Sequence, residues 1–233
     1  MASEPQLPSA DDILRMLMEA EANGGKFFRA VDQETLVGGK RVTKQKVPKL
    51  PESAATTIHQ VKVTLYGSKP PTWRRLELPS TMTLGRLHHV LQAAFTWDGY
   101  HLHVFETACG EFGDPLQDDG WAERQDEETV TIAQVAAAEK AKIVYVYDFG
   151  DDWRHDIAVE KILPAAPGIA YPRCTAGRRE APPEDCGGIW AYDPDPPEFE
   201  QFDPDALTGE LSSLAEVIVT AYSNNAEARR GSA

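Results

Sequence analysis

The chain has 233 residues and carries 23 Lys and Arg against 37 Asp and Glu, a formal net charge of −14 at pH 7. With 42% apolar, 9% aromatic and 26% charged residues, the composition is that of a globular protein, which excludes wholesale disorder and makes disulfide staples unnecessary. No apolar run is long enough for a membrane-spanning helix. The N-terminus MASEPQLPSADD has neither the basic flank nor the apolar stretch of a secretory signal. The three cysteines, Cys109, Cys174 and Cys186, fit a reducing compartment, so a soluble cytoplasmic protein is expected.

Charge is unevenly placed. Residues 1–57 hold eight acidic and eight basic residues, so the whole excess of negative charge lies in residues 58–233. An acidic surface repels phosphate backbones. The one basic stretch holds Lys40, Arg41, Lys44, Lys46 and Lys49, and any nucleic-acid contact is expected there alone. Its flanking glycines and prolines read as a solvated linker.

In chain order, Ser9 to Ala22 is predicted to be a short helix with a capping box at Ser9 and Asp12. Residues 24–57 follow as a linker with little core. Ile58–Tyr66 alternates, with Val61, Val63 and Leu65 on one face, and predicts a strand that pairs with a second over Trp73–Leu78. Thr83–Phe95 is predicted helical, with Leu84, Leu87, Leu91, Ala94 and Phe95 sharing a face. Trp97-Asp98-Gly99 turns the chain into a strand over Tyr100–Thr107. Residues 109–128 read as a long loop. Thr131 and Gln134 form a second capping box that opens a short helix. Ile143–Phe149 and Trp153–Ile162 are predicted strands around a Gly150-Asp151-Asp152 turn, where Gly150 is expected to take positive φ. Residues 164–200 are proline-rich and without periodicity, Asp203-Pro204 starts a last helix, and the tail from Ser223 is expected to fray. The domain plan is thus residues 1–57, 58–222 and a tail from 223. The mixture of elements predicts an α+β fold, a mainly antiparallel sheet built from hairpins with helices packed on one face.

Candidate chemistry is sparse. His101 and His103, two apart in a predicted strand, project to the same face as a candidate imidazole pair. Adjacent His88 and His89 point about 100° apart on their helix, one toward the sheet and one toward water. The segment Tyr147 to His155 crowds Asp148, Asp151, Asp152 and His155 at a tight turn. Such carboxylates suit a hard divalent cation or acid–base work, but plain turn formation is the simpler reading. Together with Trp97, His101 and His103 they make a candidate polar groove. Cys174 and Cys186 lack the close pairing of a zinc site and, with His101 and His103, are weak metal candidates. No cofactor is predicted beyond that divalent metal. A tryptophan in a domain of this size more often belongs to the core than to a groove.

Several strings together are specific. They are Trp73-Arg74-Arg75, Phe95-x-Trp97 leading to His101-Leu102-x-x-Phe105, Tyr147-Asp148-Phe149-Gly150-Asp151-Asp152-Trp153-x-His155, and Cys174-x-x-Gly177-Arg178-Arg179 followed by Pro182-Pro183-Glu184-Asp185-Cys186-Gly187-Gly188. In this order they resemble the Ri-plasmid (pRiA-type) ORF-3-like family over roughly residues 58–220. The resemblance implies a compact α+β domain of plasmid or mobile-element type. Some relatives are labelled resolvase-like, which would imply DNA recombination. The residues do not carry that chemistry: Ser3 and Ser9 sit in a tail and a helix cap, and no HxxR box precedes Tyr222. The expected function is an accessory or interaction domain with a protein partner and no membrane, the alternatives being a recombination protein or a metal-dependent enzyme using the Asp and His cluster.

Overall fold

A computed structural model describes residues 34–37, 40–43, 45–50, 56–116, 124–192 and 202–213. The predicted helix over residues 9–22, Lys44 and the tail from 223 lie outside these residues.

The strands are β1 (Glu34–Val37), β2 (Lys40–Thr43), β3 (Thr57–Leu65), β4 (Trp73–Pro79), β5 (His103–Thr107), β6 (Gly110–Gly113), β7 (Gln125–Asp126), β8 (Lys142–Tyr147), β9 (Trp153–Pro164) and β10 (Arg173–Arg178). The helices are α1 (Leu84–Phe95), the single turn α2 (Ile132–Val135) and α3 over 204–213. Eight strands form one mixed sheet in the order β10-β4-β3-β9-β8-β5-β6-β7. Every pairing in it is antiparallel except β6 with β7. The α+β class therefore holds.

Alternation dictates which face each strand buries. Val61, Val63 and Leu65 of β3 and Trp153, His155, Ile157 and Val159 of β9 are buried. A register shift opposite Gln60 and Val61 puts one extra residue into β9, and beyond it the inward phase moves to Ile162, which packs on the core. Helix α1 starts at Thr83, whose hydroxyl accepts the Arg86 N–H (3.2 Å), and ends at Thr96 in the left-handed region. Its Leu84, Leu87, Leu91 and Phe95 join Leu76, Leu78, Phe105 and Ile157 in one core cluster.

Arg74 is the unexpected core residue, 2% exposed. Its guanidinium donates to the carbonyls of Ala94 (2.8 Å), Trp73 (3.0 Å), Arg178 (3.2 Å) and Arg179 (2.7 Å), and it lies 3.7 Å from the centroid of Phe202. Five fixed donors let one side chain tie β4, the end of α1 and the end of β10. Burial lowers its pKa to about 10, so it stays charged at neutral pH.

The opposite face of the sheet divides in two. Toward β10 it is polar: Arg75 pairs with Glu160 (2.6 Å) and Arg173 with Glu77 (2.7 Å), while Lys62 sits over Trp73. Toward β5 it is apolar, with Val104, Val144 and Val146 buried in a small separate cluster. Strand β1 lies against β5 and β8.

Three sequence expectations change here. The basic stretch is not a free linker: Lys40 and Arg41 belong to β2, paired with β1, and of its described lysines Lys46 and Lys49 sit in exposed irregular chain. The 109–128 loop contains β6 and β7, because Gly110 at φ 114° turns the chain back onto β5. The proline-rich region contains β10, an edge strand whose irregular pattern follows from a bulge between Cys174 and Ala176 and from contact with α3. There the Thr208 hydroxyl accepts the Cys174 N–H (3.0 Å) and donates to the Cys174 carbonyl (3.0 Å).

Candidate functional site

The β8–β9 turn is set by two aspartates rather than by glycine. Asp148 and Asp152 both take φ of 54°, and Gly150 is not in the positive-φ region. Aspartate tolerates that region because its carboxylate bonds the local backbone. Asp148 Oδ1 accepts the Gly150 N–H (2.9 Å), its N–H donates to the Leu102 carbonyl (2.9 Å), and the Asp152 N–H donates to the Asp148 carbonyl (2.7 Å). A Cβ on Gly150 would lie 3.2 Å from Asp148 Oδ1. The glycine therefore serves close approach to that carboxylate, which corrects the expectation of positive φ.

Residues 182–188 lie over this turn. Asp151 Oδ2 accepts the Gly187 N–H (3.0 Å). Gly188, at φ 79°, approaches so closely that a Cβ there would stand 2.3 Å from the Asp151 carbonyl oxygen. Trp97 Nε1 donates to the Pro182 carbonyl (2.9 Å), the Asp98 N–H to Glu184 Oε2 (2.8 Å), the Tyr147 hydroxyl to Glu184 Oε1, and the Tyr100 hydroxyl to Asp185 Oδ2 (2.8 Å). Burial and the Glu184 contact raise the Tyr147 pKa, and the Asp185 hydrogen bond raises that of Tyr100 to about 12.

At the centre, His101 Nε2 is 2.9 Å from Asp185 Oδ1 and 3.8 Å from Asp148 Oδ2. One ligand-type atom from each of the three residues lies within 4.8 Å of the others. The second oxygen of each carboxylate is already held, Asp148 Oδ1 by Gly150 and Asp185 Oδ2 by Tyr100. Asp148 is buried, His101 half-buried and Asp185 exposed, so the group opens to solvent on one side.

The sequence-derived groove is thus only partly assembled. His101 and Asp148 meet, Asp151 anchors Gly187, and Asp152 serves the turn. Trp97 and His155 lie beneath, in the core. Trp97 stacks on Tyr147 (5.6 Å) and tilts against Trp153 (5.2 Å), and His155 packs edge-on to Phe95 (4.5 Å). His155 is fully buried, which lowers its pKa to about 3, and its Nδ1 donates to the Trp153 carbonyl (3.1 Å).

His101 and His103 are not a pair. His101 sits in a bend, β5 starts at His103, and the two side chains part. His103 Nε2 meets Glu127 Oε2 (2.9 Å) in a buried cluster where His88 stacks on His103 at 3.8 Å. His88 Nδ1 and Gln92 Nε2 both reach the Tyr145 hydroxyl (2.7 Å each). Burial, then the His103 charge, lowers the His88 pKa to about 2. His89 points outward, as expected.

Cys174 and Cys186 occupy separate surroundings, the first beside Arg74, α3 and the Ala176 carbonyl, the second by Asp151 and Gly188. Burial raises both thiols, so neither is primed as a thiolate ligand. Asp185, Glu184, Tyr100 and Tyr147 escaped the sequence reading as site residues. The Pro182–Gly188 string did draw notice, but through its cysteine rather than its carboxylates.

Among the described residues no helix is long and apolar enough to cross a membrane. The chain is 38% identical to the uncharacterised protein y4hQ of Sinorhizobium fredii over 138 residues, 58% of this chain and 70% of that one. It also resembles a crystal structure of a protein of unknown function, MM3350 from Methanosarcina mazei Go1. That likeness has a TM-score of 0.57 and 32% identity, and covers 65% of this chain and 97% of that one. Residues 57–195 match the profile of the plasmid pRiA4b ORF-3-like proteins. They take in β3 through β10 with the turn and the Pro182–Gly188 segment that meet at His101, and the chain belongs to that family.

Proposed function

We propose that the protein is an accessory domain of plasmid type that acts by binding, with a divalent transition-metal ion at His101, Asp148 and Asp185 as its centre. The observation that carries this reading is the convergence of three donor atoms from three separate segments within 4.8 Å. A mixed imidazole and carboxylate set suits Zn²⁺, Mn²⁺ or Fe²⁺ better than the all-oxygen sites of Mg²⁺ or Ca²⁺. The bonds from Gly150 and Tyr100 to the outer carboxylate oxygens are the kind of support that orients metal ligands. Three protein ligands are one fewer than a closed structural zinc site uses, so the remaining position falls to water or to a group brought by a protein partner. The recombination alternative gains no supporting contact among the described residues.

The test is titration of chelator-treated full-length protein with Zn²⁺ and with Co²⁺, followed by calorimetry and by the visible spectrum of bound Co²⁺. One equivalent is expected to bind, with His101→Ala and Asp185→Asn each weakening binding by about tenfold or more. Equal binding by wild type and His101→Ala, or none tighter than millimolar, would remove the metal from this reading.

A further inference from the structure

After β10, residues 179–192 form neither helix nor strand. Two fixed points bound the part that crosses the β8–β9 turn. At one end Arg74 holds the carbonyls of Arg178 and Arg179. At the other, Gly188 is packed on the Asp151 carbonyl, and its own carbonyl accepts the N–H groups of Ala191 and Tyr192 (3.1 Å each). Of residues 180–187 between them, only Pro182 is buried. Ala181 and Cys186 reach the edge of the core but stay half-buried. The remaining attachments of this strap are polar. The Pro182 carbonyl sits on Trp97, Glu184 on the Asp98 N–H and the Tyr147 hydroxyl, Asp185 on Tyr100 and His101, and the Gly187 N–H on Asp151. Segments with so few buried apolar contacts lift locally at far less cost than global unfolding.

The strap also carries charge to a charged place. Asp185 belongs to the strap, whereas His101 and Asp148 belong to the body beneath it. Asp185 Oδ1 and Asp148 Oδ2 face the same nitrogen, His101 Nε2, at 2.9 and 3.8 Å. That nitrogen carries at most one proton, so it can donate to one carboxylate and leaves the pair to repel. A divalent cation among the three atoms reverses the sign, because it attracts both carboxylates, and one of them rides on the strap. We infer that the metal ion of the His101 centre fastens the 180–187 strap, so that metal content sets how often the strap lifts from Trp97 and Tyr147. The inference rests on the metal reading given above. Lifting takes the Pro182 and Glu184 partners from Trp97 Nε1 and the Tyr147 hydroxyl and uncovers the stacked pair of rings. The face met by a protein partner therefore changes with metal content. A ligand that binds only the seated state lowers the lifted population by the factor 1 + [M]/Kd.

The test is amide hydrogen exchange of the full chain, read residue by residue by NMR, first chelator-treated and then loaded with Zn²⁺. Two N–H groups report on the strap from its two ends: Asp98, bonded to Glu184 Oε2 (2.8 Å), and Gly187, bonded to Asp151 Oδ2 (3.0 Å). At free Zn²⁺ ten times the Kd, both should exchange about tenfold more slowly. The Glu128 N–H, held by Asp126 Oδ1 away from the strap, should keep its rate. In His101→Ala, Zn²⁺ should leave all three rates unchanged. In chelator-treated protein, Gly188→Ala loosens one end of the strap and should quicken exchange of Asp98 at the other by about fivefold or more. Asp151→Ala removes the acceptor of the Gly187 N–H and should do the same, which keeps the test intact if Gly188→Ala does not fold. Zn²⁺ binding with unchanged Asp98 and Gly187 rates would overturn the inference and leave the metal centre standing. Unchanged Asp98 exchange in the folded strap variants would overturn it too, since the segment would not lift as one piece. Failure to bind Zn²⁺ would remove the metal centre and the strap inference together.

Discussion

His155 and His88 are enclosed so thoroughly that the folded protein resists charging them. Burial holds their pKa values at about 3 and about 2, against 6.5 for an unperturbed imidazole. Around His155 stand Tyr145, Trp97 and Phe95, with the Arg74 charge nearby; around His88 stand His103, His89 and Tyr145. Because the unfolded chain takes up protons near pH 6.5 and the folded one does not, the neutral forms favour folding fully above that pH. That contribution is lost progressively as pH falls toward 3. Each histidine gives a slope of up to about 1.4 kcal/mol per pH unit. The urea midpoint should therefore drop between pH 7 and pH 5, before most carboxylates titrate. The dependence should flatten in His88→Gln. A midpoint constant over that interval would show that these imidazoles are reached by solvent protons.

At the scale of elements, the turn between β8 and β9 and the segment over it act as one unit. Gly188→Ala would force a left-handed backbone on alanine and drive its Cβ into the Asp151 carbonyl oxygen. A loss of about 1–3 kcal/mol in chemical denaturation is expected. Gly150→Ala meets only the tip of the Asp148 carboxylate and should cost less than about 1 kcal/mol. The reverse order would mean that the turn glycine, not the Gly188 contact, sets the local geometry. The sequence made β3, β4, α1 and β9 legible because each has a local apolar period on the face it turns to the core, and β8 legible because it is an unbroken run of strong strand formers, buried on both faces. It hid β10, whose bulge breaks the period, and β6 and β7, which are short and polar. The site was half legible for a related reason. His101 and Asp148 announce themselves beside turn signals, but Asp185 reaches His101 from 84 residues away, and no local pattern encodes that meeting. Arg74 was hidden because a basic residue in an alternating strand ordinarily marks the wet face, and three of its four carbonyl partners lie 20, 104 and 105 residues away.

For the whole molecule, charge decides what can approach. The body from residue 58 onward carries the entire net charge of −14, so duplex DNA is repelled at long range. Any duplex contact is then expected at Lys40, Arg41, Lys44, Lys46 and Lys49. With at most five phosphates neutralised, log affinity against log salt should have a slope no steeper than about −4.5, and binding should be indifferent to sequence. The experiment is a salt titration of labelled duplex with the full chain and with Lys46→Gln/Lys49→Gln. A steeper slope, or selectivity for one sequence, would return recombination to consideration. Substitution is preferable to truncation here, because Lys40 and Arg41 are part of a paired strand.

That paired strand also separates two notions of what the domain is. The family match begins at residue 57, whereas β1 and β2 precede it and β1 rests against β5 and β8, the strands that bear Val104, Val144 and Val146. A fragment trimmed to the matched residues would keep every group around His101 and still bare a strip of valine to water. Such a fragment would be prone to stick to itself or to whatever else is at hand. The shortest stretch that defines the lineage is thus shorter than the shortest stretch that behaves well in a test tube.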